Sequence, residues 1–119
     1  MSENIKRFID AEVEKAEICV AENDLDAAFR HLERAHVLGQ SITYEHTRVH
    51  FLMLKIGWKQ KDWREIFGQI FRILGASTKT PLGIYPTGNT GGANVSPFKP
   101  MPVSEDLQLI LNRAKKFKK

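Results

Sequence analysis

Apolar side chains recur at three- and four-residue spacing from Ile5 as far as Leu74, the pattern of helices that bury one face. Ile5, Ile9, Val13, Ala16 and Val20 share a face of a helix predicted from Ile5 to Glu22. Asn23 and Asp24 break it. Asp24 then caps a second helix in which Leu25, Ala28, Leu32 and Ala35 make the core stripe while Arg30, Glu33 and Arg34 face outward. Gly39 is its expected end. A third helix, Thr43 to Gln60, is apolar over most of its circumference, with Arg48, Lys55 and Lys59 as its consistent exposed stripe. It is therefore expected to be the central and most buried helix. Asp62 caps a fourth, expected to run to Leu74 and stop at Gly75, with Trp63, Ile66, Phe67, Ile70, Ile73 and Leu74 available for packing.

The two capping aspartates, Asp24 and Asp62, define an offset at which their neighbours also align. Ala16, Ala28, Phe29, Leu32 and Ala35 fall on Leu54, Ile66, Phe67, Ile70 and Ile73, which reads as an internal duplication of a helical hairpin. The fold class that follows is all-α, with two tandem antiparallel hairpins over residues 1–76. The spacing of Ala16, Ala28, Leu32 and Ala35 is similar to the small-residue framework of tetratricopeptide hairpins. The unit here is longer, however, and its second copy does not keep the small residues.

All five prolines and four of the eight glycines lie between Pro81 and Pro102, which excludes regular helix there and defines an irregular arm over residues 77–103. Ile84, Tyr85, Val95, Phe98 and Met101 are expected to anchor the arm across the helices. Ser104, followed by Glu105 and Asp106, starts a last helix over 104–119 whose apolar face, Leu107, Ile110, Leu111, Ala114 and Phe117, is expected to dock on the body. At 119 residues the whole is expected to be one domain.

Charge changes the picture little. The net charge of +4 rests on Arg113, Lys115, Lys116, Lys118 and Lys119, whose removal leaves 13 basic against 14 acidic side chains. The tail has no aromatic platform for stacking bases, and its lysines suit the negative end of a helix dipole, so a nucleic-acid partner is disfavoured. No apolar run is long enough to span a bilayer and the first residues lack a signal-peptide pattern, so a cytoplasmic location without membrane contact is expected. Cys19 has no cysteine partner and reads as a small buried hydrophobe.

The chemistry gathers around the second turn. All four histidines, His31, His36, His46 and His50, flank that turn, and at the repeat offset their counterparts are Gln69, Leu74, Phe8 and Glu12. If the second and third helices run antiparallel about a turn near Ser41, His36 stands level with His46. His46, His50 and Met53 share a face of the third helix, while His31 is about 140° around the second helix from His36. His36, His46 and His50 therefore make a credible three-histidine site for zinc or copper. Met53 is a candidate thioether ligand, and Gln40 and Glu45 are candidate supports for the rings. A metalloprotease helix needs glutamate directly after its first histidine. Thr47 stands there instead. Glu45 is the one nearby general base and a weak one, so an enzyme is disfavoured. The glycines from Gly88 to Gly92 lack the Gly-Lys-Ser/Thr context of a phosphate loop.

Four stretches together resemble a small bacterial family known as domain-of-unknown-function family 3703. They are His31-Leu-Glu-Arg-Ala-His36-Val-Leu-Gly-Gln40; His46, His50 and Met53; Gly68-Gln69 with Arg72; and Pro86-Thr-Gly-Asn-Thr-Gly-Gly-Ala-Asn-Val-Ser-Pro97. The resemblance brings no activity with it. It implies that His36, Gln40, His46, His50, Gln69, Arg72 and the arm form one recurrent pattern, and it places such proteins alongside bacterial metal-resistance functions. Two expectations result. The first is a metal-binding accessory protein with the arm closing over the histidines. The second is a tetratricopeptide-like module that binds a protein partner and uses its histidines structurally.

Overall fold

A computed structural model describes residues 3–83, 87–93, 95–96 and 99–117, with side chains for those between 5 and 113. Five α-helices account for most of them: α1 (Glu3–Ala21), α2 (Leu25–Gly39), α3 (Thr43–Gln60), α4 (Trp63–Lys79) and α5 (Glu105–Phe117), with a 3-10 turn at Thr80–Leu82. No strand is present among the described residues. The α1–α2 and α3–α4 pairs form two helical hairpins, α2 packs on α3, and α5 docks against α1 and α2.

The duplication is visible in the turns. Asn23 and Lys61, equivalent positions of the two copies, both sit in the left-handed region, with φ of 60° and 53°. The aspartate after each caps the next helix: the Asp24 carboxylate accepts from the Ala27 N–H and that of Asp62 from the Glu65 N–H, both at 3.1 Å. Each cap supplies an acceptor to a backbone N–H that the first helical turn leaves without one.

The core joins Ile5, Ile9, Val13 and Ala16 of α1 to Ala28, Leu32 and Ala35 of α2 and Val49, Met53 and Ile56 of α3. Cys19 packs against this cluster and is half-buried. Leu107 of α5 enters the core, with Ile110 and Leu111 packed against it, so the last helix docks through the face its periodicity marks. An ion pair ties it down: Arg34 of α2 bonds Asp106 of the α5 first turn, and is itself held through Nε at 2.9 Å by Glu12 of α1.

Three expectations need correction. Gly75 does not end the fourth helix, which continues to Lys79. Glycine costs about 1 kcal/mol in a helix interior; beyond it Ala76 is buried and its carbonyl accepts the Thr80 N–H, so the stop falls at Pro81. Nor is α3 buried all round, since Tyr44, Phe51 and Trp58 are exposed; α2, with Ala28, Phe29, Leu32, Ala35, Val37 and Leu38 in the core, is the better-buried helix. Of the α4 residues available for packing, Ile66 is buried and Ile73 half-buried, whereas Trp63, Phe67, Ile70 and Leu74 face outward. The helix instead turns Glu65, Gln69, Arg72 and Ala76 inward, because that face meets the histidines of α3 and the returning arm.

The arm crosses back over the α2–α3–α4 end of the body. The Met101 N–H donates to the Thr87 carbonyl at 2.9 Å, drawing its two limbs together. Gly88, with φ of 81°, sits where they touch: a Cβ there would lie 1.9 Å from the Met101 carbonyl oxygen. Val95 and Met101 are half-buried. Ile84, Tyr85 and Phe98 lie outside the described residues, as do Lys118, Lys119 and the side chains of Ala114 and Phe117.

Candidate functional site

His36 near the end of α2 and His46 and His50 on consecutive turns of α3 converge as the antiparallel packing of those helices requires. Their ring centroids form a nearly equilateral triangle with sides of 4.7, 4.6 and 4.9 Å. One nitrogen from each ring lies within 4.8 Å of the others, and all three residues are buried. Among the described residues this is the one group of three or more His, Cys, Asp or Glu side chains so placed.

The Nδ1 atoms are already committed. His36 Nδ1–H donates to the Asn89 carbonyl at 2.6 Å, which fixes the proton on Nδ1 because a carbonyl only accepts. His50 Nδ1 lies 2.6 Å from Gln69 Oε1. The Gln69 amide cannot be turned round, since its Nε2 donates to the Glu65 carboxylate at 2.6 Å and the Gly91 carbonyl at 2.8 Å, both acceptors. His50 Nδ1 must therefore also carry its proton. His46 Nδ1 is 2.8 Å from the Thr80 hydroxyl, which can accept from it.

The consequence falls on the other side of the rings. His36 Nε2 and His50 Nε2 face one another at 3.0 Å. With both Nδ1 atoms protonated, two neutral rings would present lone pair to lone pair at that distance, which is repulsive unless a cation lies between them. A proton is a poor candidate. Burial, then the neighbouring His50 and His46, holds His36 well below the usual imidazole range. Burial takes His46 down to about 4, and burial with His46 beside it takes His50 down to about 3.

The other expected residues fall into a surrounding layer. Gln40 accepts the Gly88 N–H at 3.0 Å and fastens the arm to the end of α2. Gln69 orients His50. Arg72 donates to the Gly68 carbonyl at 3.0 Å and the Val95 carbonyl at 2.6 Å, clamping the arm to α4. Met53, on the turn of α3 after His50, is fully buried in the apolar core. Glu45 points elsewhere, accepting from Arg48 at 2.8 Å, and is not in the donor group. His31 bonds Glu12 at 2.9 Å on the far side of α2.

Four residues at the site were not singled out from the sequence. Asn89 is 2% exposed and knits the arm together: its amide donates to the Ser96 and Lys99 carbonyls at 2.8 and 2.7 Å and its oxygen accepts the Gly91 N–H at 2.8 Å. Gly91 lies against the His36 ring. Both belong to the Pro86–Pro97 stretch, so the signal was present without a role attached. Glu65 accepts from Gln69 and from the Ala93 N–H at 3.1 Å, and Thr80 meets His46. Nothing in the local pattern marks either. The N–H groups of Gly88 and Gly91 are satisfied within the protein, by the side-chain oxygens of Gln40 and Asn89.

A family model described as "Protein of unknown function (DUF3703)" matches residues 3–111, and the chain belongs to that family. No curated protein and no solved structure matches it.

Proposed function

We propose that this member of the DUF3703 family is a metal-binding protein that holds one zinc or copper ion through the Nε2 atoms of His36, His46 and His50, in an accessory role in metal handling or resistance. The observation that carries this reading is the 3.0 Å approach of His36 Nε2 to His50 Nε2 while the Nδ1 atoms of both rings donate to oxygen. Metal-bound histidines characteristically give their second N–H to a carbonyl or carboxylate, which fixes the tautomer and raises the basicity of the ligating nitrogen. Here the Asn89 carbonyl and the Gln69–Glu65 pair supply that support.

Imidazole suits zinc and copper alike. A tetrahedral ion about 2.0–2.1 Å from each nitrogen sets the nitrogens about 3.4 Å apart, so three donors within 4.8 Å need shifts on the order of 1 Å to close on it. Met53 and Glu45 would act from outside the coordination sphere, through packing and through Arg48. The arm seated on His36 favours retention of an ion over turnover, because a catalytic ion keeps a coordination position open to substrate.

The test is metal analysis of protein purified without a histidine tag, followed by titration with zinc and with copper(I). One equivalent should bind with Kd below about 1 μM, and His46→Ala and His50→Ala should each abolish that binding. Weaker binding of both ions, or binding unchanged in the two variants, overturns the reading.

A further inference from the structure

The second hairpin presents an apolar seam to solvent. Along α4, Trp63, Phe67, Ile70 and Leu74 recur at spacings of four, three and four and are 61%, 67%, 44% and 63% exposed. That is the spacing with which one helix packs along another. On α3, Phe51 and Trp58 stand two turns apart and are 56% and 66% exposed. The Trp58 and Trp63 rings meet edge to face across the turn, with centroids 6.3 Å apart, so the two stripes join into one patch.

This is not the ordinary scatter of apolar residues on a surface. Glu65, Gln69 and Arg72 repeat the same spacing on the opposite side of α4, where they serve the histidines and the arm. The inward face of α4 is mixed, with Ile66 and Ala76 beside Gln69 and Arg72, while most of its large apolar side chains face outward, and that orientation is costly unless something covers the outer face.

The duplication indicates what does. Phe29 and Leu32, the first-copy equivalents of Phe67 and Ile70, are only 8% and 2% exposed, and share their core with residues of α1 and α3. In the first copy, then, this stripe is covered by helices, including one from the hairpin that follows. After α4 the chain continues into the arm instead of a third hairpin. We infer that two copies of this chain associate in solution through the α3–α4 face, the α4 stripe of one packing on that of the other about a two-fold axis. Taking about 200 Å² as the full area of each large side chain, the six exposed residues present roughly 700 Å². A specific interface takes about 800 Å² from each partner. None of the six is charged; Lys55, exposed between Phe51 and Trp58 on α3, borders the patch and must lie at the rim of a two-fold contact, where its charge stays in water.

Sedimentation equilibrium of the full chain from about 1 to 100 μM tests this. The wild type should form a dimer, and Phe67→Glu should raise the dimer dissociation constant by about 100-fold with helical circular dichroism unchanged. Should Phe67→Glu lose helicity, Leu74→Gln provides the same reading with a milder change. A monomer throughout the range, or a dimer indifferent to folded variants at Phe67 and Leu74, overturns the inference. So does a monomer whose Trp58 and Trp63 fluorescence shifts only on adding phosphatidylglycerol vesicles, since that outcome assigns the face to a membrane surface.

Discussion

Gly91 lies flat against the imidazole of His36: a Cβ at position 91 would stand 2.6 Å from the ring carbon Cδ2 and 2.8 Å from Nε2. The backbone there has φ of +89°, a region that side chains other than glycine rarely adopt. Gly91→Ala therefore meets a clash and strain together, and relief requires the arm to lift from the histidines. The expected cost is about 1–3 kcal/mol, read as a lower Tm. Proteolytic cleavage within residues 83–99 should rise in step. A variant as stable and as resistant as the wild type would show that the arm does not bear on the ring.

Gln69 separates the tautomer from the ligands. Gln69→Leu removes the acceptor for His50 Nδ1–H and the donor to Glu65 while leaving all three rings in place. Affinity for the bound ion should fall about 10–100-fold, whereas His50→Ala should abolish it. Competition titration against a chromophoric chelator distinguishes the two. Equal affinity in Gln69→Leu and wild type would mean that the ring is oriented by packing alone.

Much of this architecture was legible because it depends on local chemistry. Asp24 and Asp62 mark the hairpin turns through their capping oxygens, and the inward face of α1 follows from period alone. The convergence of His36 with His46 needed only antiparallel helices about one turn. Other features were not local. The period of α4 identifies an apolar stripe and a polar one without saying which faces the body; inward-facing Gln69 and Arg72 decide it, through partners distant in the chain, His50, Gly91 and Val95. Gly75 carries a helix-ending signal that the burial of Ala76 overrides. Thr80 becomes a partner of His46 only because the helix runs on to bring it there.

The three buried rings should make the metal-free protein sensitive to acid. Burial, the first cause at each, depresses their folded-state pKa, to about 4 for His46, about 3 for His50, and well below 6.5 for His36. In the unfolded chain they take up protons near pH 6.5, so the unfolded state binds more protons and stability rises with pH. Their contribution is complete above about pH 6.5 and is lost progressively as pH falls towards 4 to 3. The slope is roughly 1 kcal/mol per pH unit for each ring. Urea unfolding at pH 7.5 and 5.5 measures it, and His46→Ala with His50→Ala should flatten the dependence. Equal stability at the two pH values would place the rings in contact with solvent.

Lys61 and Asn23 occupy equivalent turns of the duplication with the same Schellman hydrogen bonding. The Asp62 N–H donates to the Gly57 carbonyl at 2.9 Å, as the Asp24 N–H donates to the Cys19 carbonyl at 2.8 Å. Both residues hold a left-handed conformation, which asparagine adopts readily and lysine only at a cost. Lys61→Gly should therefore stabilise the protein by about 1 kcal/mol, since its side chain is exposed and its removal buries nothing and empties nothing in the core. Asn23→Gly should gain less, because glycine there relieves little strain and adds freedom to the unfolded chain. The urea midpoint should rise for Lys61→Gly with an unchanged m-value. A midpoint that falls, or that rises more for Asn23→Gly, would mean that the two turns are not strained in the same way and that the resemblance between the hairpins ends at their outline.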